Sequence, residues 1–146
     1  MIALLQSVPI FAGLEEDALQ LLLEHTNAHT YPEGAVILGE GETCRGFFLI
    51  GSGGVRVIKN FGKANQVELA VLGPKDFFGE GAILDTLPRM ATVQATCPTT
   101  VFAISSMAFH HLYKEMPAQH SILVLNIARD LSRRIRALDD LFASGR

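Results

Sequence analysis

Glu80 and Arg89 are the residues of this chain best suited to chemistry. They share one short segment, Asp76 to Val93, with two glycines, Gly79 and Gly81. A strand would not tolerate the glycines, and a long helix would not tolerate Pro88. The segment therefore reads as a turn, with at most one helical turn, inserted between strands. Such an insert can aim several backbone N–H groups at one point, where they bind an anion. Arg89 adds a permanent cation whose planar fork suits phosphate, and Glu80 adds an acceptor for a pair of hydroxyls. One acid, one arginine and bare amides describe a pocket for a small sugar phosphate. The same residues also admit a structural reading. Arg89 then pairs with Glu80 or Asp85, Glu80 caps the amides of its own turn, and Gly79 serves turn geometry alone.

The elements around the segment set the fold class. At 146 residues the chain is long enough for one domain with one core. With 49% apolar residues it is globular, and a net charge of −3 does not invite nucleic acid. Apolar runs such as Ile122 to Leu125 are too short to span a bilayer, and Met1 to Leu5 lacks the basic start of a signal peptide. A cytoplasmic location is the expectation. Cys44 and Cys97 lack the spacing of a zinc or iron–sulfur site. His110 and His111 are neighbours that would point about 100° apart on a helix, so they do not face one metal. Paired carboxylates, a metal cluster and Ser/His/Asp spacing are all missing from the sequence, which argues against an enzyme.

The N-terminal part, residues 1–28, reads as helical. Glu15, Glu16 and Asp17 suit a first turn, Ala18, Leu19, Leu22 and Leu23 recur at helical spacing, and Pro9 and Gly13 set off a shorter helix before them. From His29 to Ile104 short apolar runs alternate with Gly/Pro/Asn turns, the pattern of an antiparallel sandwich or barrel. In one of these runs Val55 and Val57 alternate with Arg56 and Ile58, as in a half-buried strand. Residues 105–146 return to helical period, with Ser105 or Ser106 as a cap, Phe109 and Leu112 facing inward, and Pro117 opening a long last helix. There Val124, Ala128, Leu131, Ile135, Leu138 and Phe142 fall at alternating spacings of four and three. That is an a/d seam, favouring a parallel homodimer over a helix packed only on its own domain.

Several stretches carry a family resemblance. Leu4 to Leu14, Pro32-Glu33-Gly34 through Gly41-Glu42, and Ile50-Gly51-Ser52-Gly53-Gly54-Val55 resemble the opening, first hairpin and Ile-x-x-Gly-x-Val turn of cyclic nucleotide-binding domains of the catabolite-activator and protein-kinase-regulatory type. Phe78-Gly79-Glu80 followed by Pro88-Arg89, with eight residues between Glu80 and Arg89, is similar to that family's phosphate-binding cassette. The resemblance implies a mainly β fold: an eight-stranded antiparallel β-roll, jelly-roll-like, with N-terminal helices and a long C-terminal helix. It implies a ligand site at Phe78, Gly79, Glu80, Gly81, Ala82, Arg89, Met90 and Ala91, within a cassette over 78–91. Glu80 would accept from the ribose 2′-hydroxyl, Arg89 would bind the cyclic phosphate, and the last helix would close over the base. Arg134, Ile135 and Leu138 are the lid candidates.

The chain departs from the family at Gly81, where an apolar residue is usual, at Met90, where a small or hydroxyl residue is common, and at Lys75, which replaces a turn glycine. A threonine at the position of Met90 is associated in the family with cGMP. The resemblance therefore implies a non-catalytic sensor of cAMP more than cGMP, without metal or other cofactor, that signals through its C-terminal helices. The alternative is a β-roll interaction module with no ligand or an altered one. The sequence stops at Gly145-Arg146, leaving no length for a winged helix, so direct nucleic-acid binding is disfavoured and a separate effector protein is the expected output.

Overall fold

The computed structural model of the chain describes residues 1–42, 46–79 and 90–144. The chain opens with helix α1 (Ile2–Gln6), a 3-10 turn (Pro9–Phe11) and α2 (Glu16–Glu24). Glu16 and Asp17 lie in the first turn of α2, where the helix dipole favours acids. Among the described residues eight strands follow: β1 (Thr26–Tyr31), β2 (Val36–Leu38), β3 (Gly46–Ser52), β4 (Val55–Lys59), β5 (Val67–Leu72), β6 (Phe77–Phe78), β7 (Thr92–Ala95) and β8 (Thr99–Ser105). Helices α3 (Ser106–Glu115) and α4 (Pro117–Ser144) complete the chain. Ser105 caps α3, its Oγ accepting from the Met107 N–H at 3.1 Å.

The strands form two four-stranded antiparallel sheets, ordered β1-β8-β3-β6 and β2-β7-β4-β5. The helices pack on the outer face of the first sheet, giving three layers and two apolar cores. Strand β3 explains the unbroken run Phe47-Phe48-Leu49-Ile50. Phe47 and Leu49 join Phe11, Leu19, Leu22, Phe109 and Leu123 in the core under the helices. Phe48 and Ile50 point the other way, meeting Leu38, Val55, Phe78 and Val93 between the sheets. Each such side chain contributes about 1.5–3 kcal/mol when fully buried.

Two expectations need correction. The sheet begins at Thr26, ahead of the boundary read at His29. The four central residues of β1, Asn27 to Thr30, are exposed, so the strand carries no apolar alternation to announce it. In β4 Val55 and Val57 both pack in the core between the sheets, as alternation predicts, but Ile58, expected on the open face, is buried as well. The pairing with β5 slips between Val57 and Ile58, where Leu69 bulges out of β5, while the pairing of β4 with β7 runs on in register. Among the described residues no helix is long and apolar enough to cross a membrane.

Candidate functional site

The segment read as a cassette follows β6 of the first sheet. Phe77 and Phe78 pair with Leu49 and Phe48 of β3 and send their rings to opposite faces. Phe78 is only 3% exposed and stacks on Phe48, with ring centroids 5.2 Å apart and planes 10° from parallel. Its ring belongs to the core, so its backbone is the part left to meet a ligand. Gly79 follows with φ +80°, a conformation that favours glycine and turns the chain out of the strand. Glu80, Gly81, Ala82 and Arg89 lie outside the described residues. Beyond them Met90 is 79% exposed, Ala91 is half-buried, and buried Thr92 opens β7 beside Ile58.

A tight turn delivers the chain into β6. The Asp76 N–H donates to the Gly73 carbonyl at 3.0 Å, Pro74 takes the second position, and Lys75 takes the third with φ +74°. This is a type II pattern, in which the third position favours glycine. The Gly73 N–H donates to Asp76 Oδ2 at 2.9 Å, and the Lys75 N–H to the Ile50 carbonyl at 2.9 Å, pinning the turn to β3.

A polar cluster holds the far end. Lys59 Nζ donates to the Met90 carbonyl at 2.9 Å and lies 3.2 Å from Glu40 Oε2. Glu40 Oε1 accepts from the Asn60 N–H at 3.0 Å, and the Glu40 N–H donates to Thr92 Oγ1 at 3.1 Å. The Asn60 N–H, and after it the Lys59 ammonium, hold the Glu40 carboxyl below the ordinary carboxylate range. Sequence reasoning placed Glu40 only in a turn and Lys59 only at a strand end. Their meeting depends on strand order, which no local motif reports.

Helix α4 reaches the same region. Arg134 Nη2 donates to the Phe77 carbonyl at 2.7 Å, and its guanidinium lies 4.4 Å from the Phe77 ring centroid. Arg134 Nε is 2.8 Å from Asp130 Oδ2, an ion pair too poorly aligned to count as a hydrogen bond. Of the lid candidates, Arg134 is thus brought against β6, while Ile135 and Leu138 are 59% and 45% exposed. Two further ties hold α4 to the N-terminal helices. Asn126 Nδ2 donates to the Ile10 and Ala12 carbonyls at 2.9 and 2.8 Å, and Gln119 Oε1 accepts from the Glu15 N–H at 2.7 Å.

Residues 28–116, which span both sheets and the segment between β6 and β7, match the sequence model of the cyclic nucleotide-binding domain. The chain belongs to that family. The cyclic AMP receptor protein of Thermus thermophilus is 30% identical over 131 residues, covering 90% of this chain and 59% of that protein. The cGMP-dependent protein kinase of Caenorhabditis briggsae is 36% identical over 99 residues, covering 67% of this chain and 13% of the kinase. The fold of this cyclic nucleotide-binding domain matches the crystal structure of one from Methylobacillus flagellatus. The TM-score is 0.86 at 23% identity, over 99% of this chain and 82% of that one. The domain thus spans about three fifths of the Thermus protein's length.

Proposed function

We propose that this domain is a non-catalytic cytoplasmic sensor that binds cAMP in preference to cGMP and signals through its last helix. The family match over residues 28–116 carries the reading, because that stretch contains the spacing from Phe78-Gly79-Glu80 to Pro88-Arg89. Glu80 accepts from the ribose 2′-hydroxyl, and a deoxyribose would leave that carboxylate unsatisfied. Arg89 pairs with the cyclic phosphate, with help from the Gly81 and Ala82 amides and from the backbone at Met90 and Ala91. Relatives named for each nucleotide are similar to this chain. Met90, which has no hydroxyl for a guanine, tips the reading toward cAMP.

The output runs through α4. Arg134 ties that helix to β6, the strand that feeds the cassette, so a ligand that shifts the cassette redistributes the positions of α4. The a/d seam of α4 joins two copies in a homodimer, which passes the signal to a separate effector.

Titration calorimetry with each nucleotide tests this. A ligand of about 22 heavy atoms at about 0.3 kcal/mol each gives roughly 7 kcal/mol, or micromolar affinity. Wild type should bind cAMP more tightly than cGMP, and Arg89→Ala should remove the heat. No heat from either nucleotide at about 100 μM overturns the reading.

A further inference from the structure

We propose that Lys59 and Glu40 are positioning residues for nucleotide binding, fixing the backbone where the cassette re-enters the sheet at Met90. This rests on the nucleotide reading above. Three segments far apart in sequence meet around the Lys59–Glu40 pair: the turn after β2, the end of β4 and the start of β7. Glu40 Oε2 takes the Lys59 ammonium at 3.2 Å, and Oε1 takes the Asn60 N–H at 3.0 Å. Asn60 sits at φ +58°, a left-handed conformation that asparagine tolerates. The backbone of Glu40 reaches the same strand independently, donating to Thr92 Oγ1 at 3.1 Å.

Lys59 passes this anchoring on. An ammonium has three donors; one serves Glu40 and a second serves the Met90 carbonyl at 2.9 Å. Met90 directly follows the proposed phosphate ligand Arg89. Holding its carbonyl fixes the chain one peptide from the arginine, whose forked contact with a phosphate tolerates only about 0.5 Å of misplacement.

The exposure of the pair separates this role from plain stabilisation. The Lys59 and Glu40 side chains are 44% and 29% exposed. An ion pair that accessible contributes little to global stability. Its effect should therefore fall on the position of residues 90–92 and on ligand affinity, with the melting temperature nearly unmoved. Both nucleotides should respond alike, because the brace serves the phosphate and not the base.

The test uses the full chain as wild type, Lys59→Met, Lys59→Arg and Glu40→Gln. Hydrogen exchange at Met90 to Thr92 is followed without nucleotide, and cAMP and cGMP affinities are measured by calorimetry. Lys59→Met should exchange faster at those amides and bind both nucleotides about three- to fivefold more weakly. Its melting temperature should stay within about 2 °C of wild type. Glu40→Gln should weaken binding less, and Lys59→Arg, which keeps the charge and the donors, should recover most of the affinity. Wild-type exchange in Lys59→Met, or faster exchange with unchanged affinity, overturns the proposal. Absence of binding by the wild type instead overturns the nucleotide reading.

Discussion

Arg134 and Phe77 hold each other twice, through the 2.7 Å hydrogen bond to the backbone carbonyl and through the guanidinium lying 4.4 Å from the ring centroid. A guanidinium supplies several fixed donors and a weakly hydrated cation together, which lysine does not match. Arg134→Ala should destabilise the domain by about 2–3 kcal/mol, because a charged donor is lost and Asp130 is left without its cation. Melting temperature should fall by roughly 5–10 °C, and Arg134→Lys should recover less than half of that. In thermal denaturation the Asp130→Ala/Arg134→Ala double variant should lose less than the sum of its singles. Strict additivity would mean that the two residues do not act as a unit.

Glu40 gives the domain an acid-side signature. Its carboxyl is held below the ordinary range by the Asn60 N–H and then by Lys59. A carboxyl with a depressed folded pKa contributes stability that is fully present above its unfolded pKa and is lost as pH falls through the folded one. The difference in melting temperature between wild type and Glu40→Gln, small for so exposed a pair at about 2 °C or less, should therefore be constant from pH 7 to about pH 5 and shrink below that. A difference that grows with acid would contradict the contact.

Two turn positions make opposite predictions. Gly53, the glycine of the Ile-x-x-Gly-x-Val turn, has φ +87°, and a Cβ there would stand 2.5 Å from the Pro98 carbonyl oxygen and from Thr99 Oγ1. Thr99 Oγ1 accepts from the Gly54 N–H at 3.1 Å, so the threonine cannot yield without breaking the turn. Gly53→Ala should cost about 2–4 kcal/mol in denaturant unfolding. Lys75 occupies a left-handed position without being glycine. Relieving that strain is worth about 1–2 kcal/mol, against about 0.5–1 kcal/mol of added unfolded-state entropy. Lys75→Gly should thus stabilise by about 0.5–1 kcal/mol, and a loss of stability would refute the strain.

Local signals in the sequence reached the elements that have a strong period or a turn residue. Helix α2, the Ser105 cap, the Pro117 start and the buried pair Phe109 and Leu112 all lie where spacing placed them. Strand β1 escaped because its middle faces water on a polar run, and the burial of Ile58 escaped because alternation sets it opposite Val55 and Val57, on the face expected to be open. At the site, the turn at Gly79 was legible from its glycine, while the ligand roles of Phe78, Gly79, Glu80 and Arg89 rest on spacing and family. Lys59, Glu40 and the Arg134–Phe77 contact were not legible, since each joins residues whose meeting depends on sheet order or helix docking.

Helix α4 carries two stripes. Leu123, Ile127, Asp130 and Arg134 face the domain, buried or half-buried. The seam residues Val124, Ala128 and Ile135 each follow one of these by one position, about 100° further round the helix, while Leu131 packs against the domain's own core. Beyond Arg134 the apolar residues Ile135, Leu138, Leu141 and Phe142 are 59%, 45%, 66% and 75% exposed. A helix satisfied by its own domain would not carry an a/d pattern past its last buried turn. The seam should therefore pair two copies, and light scattering coupled to size exclusion should give twice the 15.9 kDa chain mass. In a two-fold contact each substitution counts twice, so Ile135→Asp with Leu138→Asp should yield a folded monomer. Its melting temperature at matched low concentration should stay near that of wild type, because neither side chain is buried in its own domain. A wild-type chain that runs as a monomer at about 100 μM would remove the dimer from the signalling mechanism and leave α4 to act within one chain.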